Sequence, residues 1–242
     1  MLNANELIAG VTGTLAEKPQ TNEIPVERLV RRRNGILYRL KEIEQLELNP
    51  LEVFVKVATH AARLQLTMEN DLRRPRQGFI LFGGVGCGKT TLVRRAFAKS
   101  RLPFFSALRI LSDAAEYADS FRADRRMFSG MNVILDDLGA ERADVKRYGT
   151  TLDLTDWLTW RYECYQRRGV LTYITTNAAS GKEIEARYGA RIASRIQEMC
   201  EVIRYDHADR RRSGGAGLPQ GRKDFTPPAH HKPIAASDRA RA

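Results

Sequence analysis

Two rhythms of apolar residues alternate along this chain. Short unbroken runs read as strands buried on both faces, and stretches with an apolar residue every three or four positions read as helices. The runs fall at 79–82, 103–106, 131–137, 169–177 and 200–205. The helical stretches fall at 24–48, 50–64, about 90–100, 108–126, 151–168, 180–187 and 190–198. The first of these carries Val26, Leu29, Val30, Ile36, Leu37, Leu40, Ile43 and Leu46, and Asn34-Gly35 within it predicts a break into two helices. The second has a start signal in Asn49 to cap, Pro50 in the first turn and Glu52 to bond back. Strands alternating with helices predict an α/β fold, with a five-stranded parallel sheet between two layers of helices. Residues 1–22 show no sustained period and read as a flexible arm. The Gly-, Pro- and Arg-rich residues beyond 212 read as a disordered tail.

The first strand runs into Gly83-Gly84-Val85-Gly86-Cys87-Gly88-Lys89-Thr90-Thr91, and a helical pattern opens there. The spacing G-x-x-x-x-G-K-T between a strand and a helix is the phosphate-binding loop pattern. A triphosphate needs several backbone N–H groups pointing inward, so the loop must come close and adopt positive φ. The helix N-terminus adds partial positive charge. Lys89 is placed to reach the β- and γ-phosphates, and Thr90 to put its hydroxyl on Mg²⁺. ATP with Mg²⁺ is the expected ligand pair.

Asp136 and Asp137 close the third strand, 47 residues after Lys89. In a parallel sheet ligands bind outside the carboxyl ends of the strands, the rim that the glycine loop occupies. Asp136 there can hold Mg²⁺, and Asp137 can orient or deprotonate an attacking water. Asn177 ends the next strand, where a neutral amide can position the same water. Taken singly, these are a solvated strand end and a turn-forming Asn. Beside the glycine loop they form a series.

Charge and cysteine usage narrow the partners. The net charge is +11; the last thirty residues account for +3 of it and leave +8 on residues 1–212. A basic body favours a polyanion, nucleic acid first. Arg31-Arg32-Arg33, Arg73, Arg74 and Arg76 are candidate contacts, although a charge run more often marks a solvated face. Cys87, Cys164 and Cys200 are widely spaced, without a disulfide or zinc pattern, and His60 has no second ligand at metal spacing. With no secretory signal and no apolar run of membrane-spanning length, a cytoplasmic protein without membrane contact is expected.

At this point the chain resembles the AAA+ ATPases, in particular the DnaC/IstB type of helicase loaders and transposition ATPases. The resemblance covers about residues 50–212. It rests on Gly83–Thr91 as Walker A, on Val133 through Glu141 as Walker B, on Thr175-Thr176-Asn177 as sensor 1, and on Tyr188 through Ile196 as the arginine-finger region. It implies that Arg195, with Arg191 beside it, reaches the γ-phosphate of a neighbouring subunit. It also implies a sensor-2 arginine at Arg210, for which Arg211 and Arg212 are equally placed. Two departures stand out: Asp137 occupies a position where many members have Glu, and too little apolar sequence follows Tyr205 for a full helical lid.

The organisation expected is a helical partner-binding segment at 1–48, an ATPase domain at 49–212 and a tail at 213–242. The leading function is an ATPase that forms homo-oligomers on nucleotide or single-stranded DNA and loads or regulates a replicative helicase. The alternatives are a transposition helper acting with a transposase on duplex DNA, or a weakly hydrolysing nucleotide-binding adaptor. A GTPase is disfavoured, because Thr175-Thr176-Asn177-Ala178-Ala179 lacks an Asn-Lys-x-Asp base-reading segment.

Overall fold

Strand runs without alternation must be covered on both faces, and the fold does this with two separate apolar layers. In the computed structural model residues 23–44, 52–70, 75–116, 128–141, 146–147, 150–151 and 154–206 are described. Helices α1 (Val26–Glu44) and α2 (Glu52–Asn70) precede strand β1 (Gly78–Phe82). Then come α3 (Lys89–Ala96), a 3₁₀ turn (Ala98–Ser100), β2 (Phe104–Ser106), α4 (Ala107–Glu116) and β3 (Val133–Leu138). A short ribbon of β4 (Lys146–Arg147) and β5 (Thr150–Thr151) leads to α5 (Thr155–Arg168) and β6 (Thr172–Thr176). Helices α6 (Gly181–Tyr188) and α7 (Ala190–Met199) and strand β7 (Cys200–Arg204) complete the series.

The main sheet has the order β2-β3-β6-β1-β7, and every pairing in it is parallel. Parallel neighbours need a crossover, and helices supply it here. Alternate side chains of β1 divide between the layers. Phe79 and Leu81 pack with Phe54 and Val57 of α2, Leu92 and Val93 of α3, and Ile36 and Leu40 of α1. Ile80 and Phe82 pack on the other face with Ile110 of α4, Trp157 and Leu158 of α5, and Ile192 and Ile196 of α7. This is the three-layer arrangement that the sequence predicts. No helix among the described residues is long and apolar enough to cross a membrane.

Several boundaries differ from expectation, each for a physical reason. Helix α1 runs unbroken through Asn34-Gly35. A glycine inside a helix costs about 1 kcal/mol relative to Ala, whereas burying Ile36 and Leu40 stabilises by about 1.5–3 kcal/mol each. Arg32 adds a two-pronged contact to Glu69 of α2, at 2.6 and 2.7 Å, so packing overrides the local signal. Helix α5 begins at Thr155 and not at 151, because Thr150 and Thr151 pair with Arg147 and Lys146 in the ribbon. The helix expected over 90–100 ends at Ala96 and tightens into the 3₁₀ turn. The predicted cap Asn49-Pro50, the arm at 1–22, the far end of the helix expected over 108–126, and the tail lie outside the described residues.

Candidate phosphate-binding site

Strand β1 delivers the chain to the carboxyl rim, and Gly83–Gly88 turns it into α3. Gly86 and Gly88 have φ of 76° and 98°, a region that disfavours any side chain. Gly83 is required for a different reason: a Cβ there would lie 2.5 Å from the Tyr205 carbonyl oxygen beyond β7 and 3.1 Å from the Cys87 sulfur. Helix α3 begins at Lys89 without a side-chain cap on its first N–H groups. Those free donors and the dipole behind them suit an anion. Cys87 is turned inward and fully buried among the core residues of the α1–α3 layer.

Lys89 is 4% exposed, and all three of its donors have oxygen partners. Nζ donates to the carbonyls of Gly83 and Gly84 and to Asn177 Oδ1, each at 2.8 Å. The amide of Asn177 reaches on to Asp137 Oδ1 at 3.5 Å. Loop, strand β3 and strand β6 therefore converge through side chains on one point of the rim. Neighbouring Arg204, at the end of β7, donates to the Ala179 carbonyl at 3.1 Å and lies 5.9 Å from the Phe82 ring. It is a rim cation that the sequence reading passed over, because strand-terminal arginines are common.

The carboxylates owe their placement to a bulge. Between Leu135 and Leu138, β3 spends one residue more than β6 does between Ile174 and Thr176. Asp137 takes φ of 56°, left-handed backbone that costs a non-glycine residue about 1–3 kcal/mol. Thr175 holds the bulge: its hydroxyl donates to Asp136 Oδ1 at 2.7 Å and accepts from the Asp137 N–H at 2.9 Å. Thr90 donates to the same Asp136 oxygen at 2.9 Å. Burial pushes the Asp136 carboxyl above the ordinary carboxylate range; the two hydroxyls pull it back, and the adjacent Asp137 pushes it up again.

A buried carboxylate touching a threonine hydroxyl, with a second carboxylate on the next residue, is a hard-oxygen donor set that fits Mg²⁺. The glycine loop that precedes it fits a phosphate chain. Thr90 and Asp136 are the residues that would hold the ion, while Thr91 continues the first turn of α3. Among the described residues no group of three or more His, Cys, Asp or Glu forms a metal cluster, so a bound cation would need ligands from the nucleotide or water.

Solved structures of similar fold exist. The crystal structure of the DnaC helicase loader is 19% identical in sequence, with a TM-score of 0.46, over 69% of this chain and 98% of that one. A proposed primosome component from Streptococcus pyogenes serotype M3 is 15% identical, with a TM-score of 0.43, over 67% of this chain and 93% of that one. No protein-family model matches the sequence, and no curated protein does.

The arginines of the expected finger region lie apart from this rim cluster. Arg191 is exposed on the first turn of α7. Arg195, one turn on, is half-buried; it donates to Thr159 Oγ1 at 3.0 Å and sits 4.9 Å from the Tyr162 ring, both on α5 of its own chain. Arg210, Arg211 and Arg212 fall outside the described residues, as do Arg73 and Arg74. Of the basic run on α1, Arg31 is exposed, Arg32 is held by Glu69, and Arg33 contacts Asn34. His60 proves to be a packed residue: it is 5% exposed and pairs with Glu201 through Nε2 at 3.0 Å.

Proposed function

We propose that this chain is an AAA+-type ATPase that assembles on DNA and loads or regulates a replicative helicase. The observation that carries the nucleotide part is the Thr90–Asp136 contact of 2.9 Å at the mouth of a glycine loop, with Lys89 and Asn177 joined beside it. Lys89 would exchange its loop carbonyls for phosphate oxygens, and Thr90 and Asp136 would hold Mg²⁺. The ion, when bound, neutralises charge on the phosphate chain. Asp137 and Asn177 lie 3.5 Å apart beside it; Asn177 would position an attacking water, and the Asp137 carboxylate would accept its proton.

Arg191 and Arg195 are proposed to act on the nucleotide of a neighbouring copy. Releasing Arg195 would give up a cation–π contact to Tyr162 of about 0.5–1 kcal/mol and a charged hydrogen bond to Thr159 of about 1.5–3 kcal/mol, which contacts to a neighbour's nucleotide must offset. Homo-oligomers on nucleotide or DNA follow from that role. The surplus of +8 on residues 1–212, with Arg31 and Arg76 exposed, supports single-stranded DNA as the polyanion. The segment 1–48 is the proposed helicase contact, since α1 covers the core with one face and leaves Tyr38 68% exposed on another.

The test combines two variants. Lys89→Ala should lose ATP binding while staying folded. Arg195→Ala should bind ATP but hydrolyse it at least tenfold more slowly. Mixing them should restore turnover, because one subunit keeps its loop and the other its finger. Full turnover by Arg195→Ala alone would remove the finger, and unchanged ATP affinity in Lys89→Ala would remove the phosphate loop. Capture of a transposase instead of a helicase by the full chain would redirect the partner assignment.

A further inference from the structure

Glu141 lies three residues after β3, at the end of the stretch that resembles Walker B. The structure buries it to 4% exposure. Its carboxylate joins two parts of the molecule that are far apart in sequence. One oxygen, Oε2, accepts from the Gly139 N–H at 2.9 Å. The other, Oε1, accepts from Arg187 Nε at 3.1 Å and from the Tyr188 hydroxyl. Arg187 also donates through Nη2 to the Glu141 carbonyl. A buried charge with fewer contacts would be costly; with these it is held in one geometry.

Each end of this link is attached to something functional in the reading proposed above. On one side, Gly139 and Ala140 form the turn that leaves Asp137, closed by the Ala140 N–H on the Asp137 carbonyl at 2.9 Å. That turn inherits the left-handed backbone of Asp137 and continues it at Gly139, with φ of 95°. On the other side, Arg187 and Tyr188 are the last residues of α6. Gly189 alone separates them from α7, which carries Arg191 and Arg195. Burial pushes the Tyr188 phenol far above its ordinary range, and the Glu141 contact adds to this, so the hydroxyl stays a donor. The turn after Asp137 and the residues that lead into α7 are therefore joined by hydrogen bonds through Glu141.

We propose that Glu141 is a positioning residue that couples the nucleotide-facing end of β3 to helix α7, setting where Arg191 and Arg195 are presented. The coupling rests on the ATPase reading, but it concerns a buried residue whose hydrogen bonds run to Gly139, Arg187 and Tyr188. The chain of contacts is contiguous from Lys89 through Asn177 and Asp137 to Gly139, Glu141 and Tyr188. Occupancy of the phosphate loop is then communicated to the arginine helix within the same subunit.

Hydrogen exchange on the full chain, with and without a non-hydrolysable ATP analogue and Mg²⁺, reads the coupling directly. In the wild type, ligand should slow exchange at residues 83–92 and change it at least threefold at residues 190–196. In Glu141→Gln the first effect should persist and the second should fall below 1.5-fold, with kcat down at least tenfold and KM within twofold. Tyr188→Phe removes one hydroxyl and keeps the ring, so it serves if Glu141→Gln does not fold; it should lose at least half of the α7 response. A purely structural Glu141 would lower the melting temperature of the variants yet leave the α7 response and the kcat of the folded protein unchanged, which overturns the coupling. Protection of the loop without any α7 response in the wild type overturns the coupling alone. Absence of loop protection in the wild type overturns the nucleotide reading as well.

Discussion

Thr175 offers the sharpest test of how the site is held, because its one hydroxyl serves two buried partners. Thr175→Val keeps the shape and the β-branched preference for a strand, and removes only the oxygen. The Asp136 carboxylate then loses its 2.7 Å donor, and the Asp137 N–H loses its 2.9 Å acceptor in the bulge. A hydrogen bond to a charged group contributes about 1.5–3 kcal/mol, and a buried N–H left without an acceptor costs about 1–3 kcal/mol. Allowing for relaxation and for the Thr90 hydroxyl that remains on Asp136, the loss should be about 3 kcal/mol, or roughly 6–12 °C in Tm for a domain of this size. Urea unfolding of wild type, Thr175→Val, Asp136→Asn and the double variant measures both the loss and its coupling. The cycle should show an interaction of about 1 kcal/mol or more. A loss below about 1 kcal/mol, or strict additivity, would refute the idea that Thr175 clamps the bulge.

Further expectations follow from single contacts. Burial holds the His60 imidazole below its ordinary range, with Glu201 opposing and Arg63 reinforcing that shift. The unfolded chain then takes up the proton first, so stability should fall as pH drops below about 6.5; His60→Leu should flatten the pH 5–7 part of the stability curve, and an unchanged curve would exclude His60 as its source. Cys87, Cys164 and Cys200 are all buried, so a thiol reagent should label native protein at least tenfold more slowly than urea-unfolded protein; rapid labelling of Cys87 would mean that the loop opens. Arg161 is fully buried and donates to the carbonyls of Phe128, Met131 and Leu171 and to Thr172 Oγ1, so Arg161→Met should cost about 3 kcal/mol in urea unfolding. A loss within 0.5 kcal/mol would show that these carbonyls find other donors. Single-stranded DNA binding should weaken with salt, each phosphate contact adding about −0.7 to the log–log slope, and a flat salt response would argue against a DNA-binding body.

What could be read from the chain beforehand was whatever depends on local pattern. The apolar runs located all five strands of the main sheet, and the glycine spacing located the turn into α3. Asp136, Asp137 and Asn177 could be assigned to one rim because parallel strands end together. What escaped was set by partners distant in sequence. Gly35 looked like a helix break because its local cost was visible and the burial of Ile36 and Leu40 against α2 was not. Glu141 was legible only as the end of the Walker B stretch, and Arg161 and Arg187 carried no signal, since nothing local tells a charged residue that its partners will arrive from 10 to 47 positions away. The ribbon of β4 and β5 is two residues per strand, too short to show a period.

The bulge ties these two classes of information together. Thr175, Thr176 and Asn177 read in sequence as a strand end that senses nucleotide, but their first structural work is on β3. Successive strand residues point to opposite faces, so the two threonine hydroxyls reach β3 from different sides. Thr175 takes Asp136 and the Asp137 N–H; Thr176 donates to the Leu138 carbonyl at 2.7 Å and accepts from the Ala178 N–H at 3.1 Å. The extra residue of β3 is thus gripped before and after the point where its backbone turns left-handed. Without that grip, Asp137 would relax into regular pairing, and a one-residue shift would turn the following side chains to the opposite face. The 1–3 kcal/mol of backbone strain at Asp137 is smaller than the hydrogen bonding that opposes its release. Asn177 then adds the one contact that reaches across to Lys89. A strand end that first fixes two carboxylates, and only then touches the phosphate loop, explains why three polar residues lie at the end of a strand buried on both faces.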